Sequence, residues 1–291
     1  MILTRTLLVL TVSMWGFSFV ATKICLEYMS PLEVIGLRYL MALPVLLLVI
    51  LIKRVRLERI KGYHLRNVLL ASGVFAAHYL FQVIGMQYTT ATNTSWLIAT
   101  TPLIIVVLAF LFLKERITRR VVAGVVVATI GILLLVSKGK LTDLQWIQST
   151  GDWLVLASSF TWAIYTLLVR DTARCFNPLL VSFAVVAFSA VVIVPAMVAT
   201  ANWNKLVHLP AEPVVALVFL GVVCLALAYW FWQEGVARLG AAQAGIFLYL
   251  EPLAATALAV PYLHEPFGPF TAIGGLLVLA GVYLAERKGI H

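Results

Sequence analysis

Ten stretches of about twenty mostly apolar residues, parted by short polar connectors, run the length of this chain. Such a stretch crosses the hydrocarbon of a bilayer as a helix, because in lipid only a helix or a closed barrel can pair its own peptide groups. The runs lie near 4–25, 31–52, 66–88, 92–113 and 119–137, then near 151–170, 178–200, 211–235, 241–263 and 268–286. Composition agrees. Hydrophobic residues make up 63% of the chain and charged residues 11%, against about 25% charged in soluble domains. A soluble chain of 291 residues would lack the polar surface to enclose so much apolar material. The first run starts beside Arg5 and continues through "MWGFSFVAT" to Lys23. It is too long for a signal core and has no clear small-residue cleavage site, so it reads as the first span. The connectors leave no room for an attached soluble domain.

The charges orient the spans. With the amino terminus in the cytoplasm, sixteen of the 21 Lys and Arg residues fall in inner connectors, among them Lys53, Arg54, Arg56, Arg59, Lys61, Arg66 and Lys114, Arg116, Arg119, Arg120. Four fall outside (Lys23, Lys138, Lys140, Lys205), and Arg38 lies within a span. That bias places both termini inside, and Trp146, Trp153 and Trp203 decorate the outer connectors as an interfacial belt. The same distribution accounts for the net charge of +9 without nucleic acid. Cys25, Cys175 and Cys224 have neither metal-ligand spacing nor an even count, so no disulfide framework is expected.

The chain is written twice. At an offset of 150, Tyr79, Phe81, Gly85, Pro102, Leu113, Glu115, Gly124 and Gly131 meet Tyr229, Phe231, Gly235, Pro252, Leu263, Glu265, Gly274 and Gly281. Nearer each start the offset is 147, and Trp15, Lys23 and Pro31 meet Trp162, Arg170 and Pro178. The repeats are expected over 1–140 and 141–291, five spans each. Five is odd, so the second half must sit upside down relative to the first. The expected fold class is therefore an all-α membrane protein with ten transmembrane helices as two inverted five-helix repeats. Such repeats are a common build of secondary transporters, because rocking one against the other opens a midplane site to each side in turn.

The doubled pattern P-x12-E-x8-G-x6-G, at Pro102–Gly131 and again at Pro252–Gly281, resembles the drug/metabolite transporter superfamily. The opening "MWGFSFVATK" and the ten-span length resemble its EamA-type branch. The resemblance covers essentially the whole chain. It implies a bacterial inner-membrane carrier, often an exporter of amino acids or related metabolites, without a cofactor.

Residues shared by both halves read as scaffold. Gly124 and Gly131, seven apart, lie on one helical face and permit close approach, as do Gly274 and Gly281. Glu115 and Glu265 sit at span ends, where a carboxylate meets the first turn of the following helix. Pro102 and Pro252 each remove a donor and free a carbonyl one turn back, that of Ile98 or Leu248. They mark either packing kinks or the depth of a central cavity.

Unshared polar residues read as site. Glu251 aligns with Thr101, His78 with Ala228, Arg38 with Val185 and Trp96 with Ile246. An ionised acid at a helix centre costs about 3 kcal/mol on insertion scales, so Glu251 is expected to face the bundle interior. It could exchange a proton during a transport cycle, hold a substrate ammonium with Arg38 or His78 near a carboxylate, or form a fixed pair with either. Arg38 could also snorkel to the interface. Around these lie aromatic side chains, Trp15, Tyr79, Trp96, Trp162 and Tyr249 among them, which suit neutral or zwitterionic solutes better than sugar phosphates.

The partners expected are a small-molecule substrate and membrane lipids, with a proton as one candidate for coupling. Oligomeric state, coupling ion and direction stay open. An intramembrane enzyme is the rival class. The sequence holds no G-x-S-x-G, and "HEPFG" lacks the second His of a zinc motif, so no catalytic or metal residues are assigned. A channel or a lipid flippase without alternating access is the other alternative.

Overall fold

A computed structural model describes residues 2–115, 117–137, 149–262 and 268–286. Arg116, Lys138, Lys140, Trp146, Leu263, His264, Glu265, Arg287, Lys288 and His291 lie outside the described residues. The described chain is helical throughout. The first half comprises α1 (Ile2–Tyr28), α2 (Pro31–Ile52), α3 (Gly62–Gln87), α4 (Ala91–Ile98), α5 (Thr101–Leu113) and α6 (Arg119–Ser137). The second comprises α7 (Thr150–Cys175), α8 (Pro178–Thr200), the short α9 (Trp203–Val207), α10 (Ala211–Val218), α11 (Ala228–Leu239), α12 (Ala241–Ile246), α13 (Glu251–Tyr262) and α14 (Pro269–Glu286). Eight helical runs among the described residues are long and apolar enough to cross a membrane. The fifth and tenth expected spans are α6 and α14, which fall outside those eight.

Local chemistry starts the helices where the connectors end. Ser30 accepts from the Glu33 amide while Glu33 accepts from the Ser30 amide, a reciprocal box followed by Pro31 in the first turn of α2. Ser149 and Asp152 build the same box at α7, and Asn177 caps α8 ahead of Pro178.

Three expected single helices are interrupted. The fourth span breaks at Ala99–Thr100, between α4 and α5, where Pro102 stands in the first turn. The Leu97 carbonyl there collects the Thr100 amide, the Thr100 hydroxyl at 2.7 Å and the Ser159 hydroxyl at 3.4 Å. The ninth tightens into 3₁₀ geometry over Phe247–Leu250 before α13. The Leu248 carbonyl, expected to be freed by Pro252, accepts there from the Glu251 amide. The eighth is a π-helix over Phe219–Leu227, between α10 and α11, whereas its counterpart α3 is α-helical throughout.

The duplication is visible in the packing. α2 lies along α8 and α6 along α14; α3 lies along α7, while α1 lies along α11 and the π segment; α5 meets α7, and α13 meets α1. Exchanging each helix for its repeat counterpart returns the same set of pairs. The tightest pair is α6 with α14. A Cβ on Gly124 would fall 2.5 Å from the Gly281 carbonyl oxygen, and one on Gly131 would fall 2.7 Å from that of Gly274. Only glycine allows such an approach, and this order of contacts makes the two helices antiparallel. Their outer faces expose Val122, Val126, Ile130, Ile273, Leu276 and Leu279, a surface suited to lipid.

Candidate functional site

Helices from both halves enclose a small cavity of about 40 Å³, room for roughly three waters. α1 gives Trp15, Ser18 and Phe19; α2 gives Arg38; α3 gives His78, Tyr79 and Gln82. Ser159 and Trp162 come from α7. The two interrupted helices close the ring, with Ile98 and Thr101 from one break and their counterparts Leu248 and Glu251 from the other.

Six of the eight residues expected around a midplane site thus meet at one place: Trp15, Arg38, His78, Tyr79, Trp162 and Glu251. Trp96 and Tyr249 are not among the lining residues. Tyr249 turns away to pair its hydroxyl with that of Thr129 at 2.8 Å, and the buried indole nitrogen of Trp96 has no hydrogen-bond partner among the described residues. Pro102 and Pro252 each stand directly after a lining residue, Thr101 and Glu251. The lining residues not picked out from sequence carry one common signal. Ser18, Phe19, Gln82 and Ser159 stand three or four positions from Trp15, His78 or Trp162, which puts them on the same helical faces.

Glu251 is 3% exposed, and its carboxyl group makes neither a hydrogen bond nor an ion pair among the described residues. Arg38, also 3% exposed, has no carboxylate partner among the described residues. One of its terminal nitrogens donates to the Tyr79 hydroxyl at 3.3 Å, its guanidinium carbon sits 4.5 Å from the Tyr79 ring centre, and its Nε has no partner. Two earlier alternatives therefore fall away: Arg38 does not snorkel, and Glu251 is not in a fixed pair with Arg38 or His78. His78 is anchored by Nδ1 against the Ser158 carbonyl at 2.9 Å. A carbonyl partner requires Nδ1 to carry the hydrogen, leaving Nε2 as an acceptor in the neutral ring.

Aromatic rings build the wall. Trp15 meets Trp162 edge-on with centroids 4.9 Å apart, and His78 lies 4.9 Å from Trp162. The Trp15 indole nitrogen donates to the Cys224 carbonyl at 3.0 Å, inside the π-helix, and so ties α1 to the eighth span. The chemistry on offer is one buried cation, one buried carboxyl group and flat apolar surfaces. No group of three or more His, Cys, Asp or Glu among the described residues could hold a metal ion.

The model of the EamA-like transporter family matches residues 3–137 and again 149–286. The chain belongs to that family. An EamA-like transporter is embedded in the membrane and moves a small solute across it, here as a multi-pass inner-membrane protein of the drug/metabolite transporter superfamily. Among its relatives, an uncharacterised transporter of Archaeoglobus fulgidus is 33% identical over 98% of both chains. A probable terminal-alkyne amino-acid exporter of Streptantibioticus cattleyicolor is 28% identical over 97% of this chain and 92% of its own. In fold, a crystal structure 18% identical in sequence superposes with a TM-score of 0.78 over 97% of each chain.

Proposed function

We propose that this EamA-like transporter is a secondary exporter of amino-acid-like zwitterions that exposes the Arg38–Glu251 cavity to each side of the membrane in turn. The observation that carries the reading is that Arg38 and Glu251 are both buried, line one cavity and have no counter-ion among the described residues. Each costs free energy in the apolar interior unless something neutralises it. A solute with a carboxylate for Arg38 and an ammonium for Glu251 neutralises both. Its side chain would lie against Trp15, Tyr79 and Trp162, with Trp96 and Tyr249 supporting the broken helices from behind and Pro102 and Pro252 holding the breaks. Between solute loads a proton on Glu251 serves the same purpose, which couples transport to a proton gradient.

The architecture of the proposal is ten spans in two inverted repeats, 1–140 and 141–291, with both termini cytoplasmic. The antiparallel α6 and α14 and the exchangeable packing pairs support it, as does the crowding of Lys and Arg on one set of connectors. A cavity of about 40 Å³ is far below the several hundred Å³ of an ordinary solute pocket, so loading requires the halves to part. Export follows the direction that the Streptantibioticus relative's name gives for that protein.

The deciding experiment is uptake into liposomes of purified protein, screening amino acids and amines with and without a pH gradient. Accumulation of a zwitterion driven by the gradient, lost in Glu251→Gln, is the expected result. Flux that only equalises concentrations, or lipid scrambling without solute accumulation, would replace this reading with a channel or a flippase.

A further inference from the structure

The Glu115 carboxylate does not meet the helix that follows it. Its partners all lie in the other half of the chain. Oε1 accepts from Arg170 Nε at 3.1 Å and from the Ala241 amide at 3.2 Å, and Oε2 accepts from the Ala242 amide at 3.1 Å. Gly240, at φ +91°, makes room: a Cβ there would stand 3.0 Å from Glu115 Oε1. Arg170 also holds Asp171. The side chains of Arg170 and Glu115 are 15% and 12% exposed, so water screens this pair little.

We propose that Glu115 is a positioning residue for transport, a latch that joins the amino end of the Glu251-bearing helix to Arg170 and keeps the pathway shut on the Lys/Arg-rich face. The helical run from Ala241 to Glu251 rises about 15 Å, so a shift at the latched end moves the carboxyl group at the other. Arg170 stands about 12 Å along α7 from Trp162, which lines the cavity. Between the two levels Trp15, Trp162, Tyr165, Tyr229 and Trp232 form a plug with ring centroids 4.9 to 5.8 Å apart. Within that plug the indole nitrogens of Trp162 and Trp232 have no hydrogen-bond partner among the described residues. Buried polar atoms without a protein partner favour a state in which they gain one. The plug thus supplies a tendency to open, and the latch opposes it. On the other face the repeat counterpart of Arg170, Lys23, donates to the Met86 carbonyl and has Glu27 one turn on for its carboxylate, while Glu265, the counterpart of Glu115, lies outside the described residues.

This rests on the alternating-access reading, but its test needs no substrate. In a Cys175→Ser background, Leu248→Cys places a thiol on the cavity wall, and a charged, membrane-impermeant thiosulfonate is applied to vesicles of each orientation. The same background without Cys at 248 sets the baseline. Glu115→Gln and Arg170→Gln should each raise labelling from the Lys/Arg-rich face about tenfold and lower it from the other. The double variant should add little, and Arg170→Lys should return most of the wild-type rate. An equal rise from both faces, or no change in folded protein, overturns the latch. Should Glu115→Gln fail to assemble, Arg170→Gln leaves Glu115 on the two amides and decides the question alone. Side-specific labelling without zwitterion uptake would sink the solute assignment and leave the latch standing.

Discussion

The two halves carry one pattern and do different work with it. α6 and α14 present the same glycines at the same spacing and meet each other through them, so each is the other's binding surface. Around the cavity the equivalence stops. Counterparts Trp15 and Trp162, Ile98 and Leu248, and Thr101 and Glu251 line it in pairs, but Arg38, His78 and Tyr79 enter from the first half alone. The second half sets Val185, Ala228 and Tyr229 at those three positions, and they pack in the buried core. The cavity therefore lies across the line relating the halves and leans in chemistry towards one of them. Residues that satisfy a symmetric interface recur, because each must fit its own counterpart. Residues that satisfy an asymmetric solute need not.

The sharpest way to break this comparison is to exchange counterparts. Glu251→Gln should lower transport roughly a hundredfold and remove its pH dependence, whereas Thr101→Val at the matching depth should change it less than about threefold. Comparable losses at both positions, read as initial rates in liposomes, would make the acid one wall residue among many. Next in size, Arg38→Gln should weaken apparent solute affinity about tenfold with a smaller effect on maximal rate, while Val185→Ala leaves affinity unchanged. A defect confined to maximal rate would remove Arg38 from the solute's carboxylate.

On the symmetric side, Gly124→Ala and Gly281→Ala should destabilise alike, each by about 1–3 kcal/mol, because each methyl enters the same contact. Unequal shifts in the thermal melting of detergent-solubilised protein would show that the two surfaces are not equivalent. The smallest effect separates the paired tryptophans. Trp15→Phe gives up the hydrogen bond to Cys224 and should cost about 1 kcal/mol more than Trp162→Phe, whose indole nitrogen has no partner to lose.

Much of the scaffold could be read without coordinates. Hydropathy marked the helical runs, and the recurrence of Trp, Pro and Gly at fixed offsets marked the duplication. Glu251 stood out because a carboxyl group among apolar residues is costly wherever the helix turns it. The reading was weaker where identity depends on neighbours distant in the chain. Trp96 and Tyr249 look as suited to a solute wall as Trp15 does, yet neither lines the cavity. Glu115 had every local sign of capping the helix after it and instead holds residues 55 and 126 positions away. Nothing local announces the π-helix at Phe219–Leu227, since its composition is as apolar as that of any other span.

What the sequence determined alone is the solvent and the duplication. Twenty apolar residues in a row have one low-energy state in lipid, and Trp, Pro and Gly recurring at fixed offsets write one unit twice. What only the tertiary structure decided is which buried polar groups are satisfied and which are not. Arg38, Glu251 and Glu115 are all acids or bases in apolar company, and no local pattern tells them apart. Glu115 finds three donors from the opposite half, and the other two line a shared cavity without counter-ions among the described residues, because hydrogen-bond partners are settled by where helices cross rather than by what stands beside a residue in the chain.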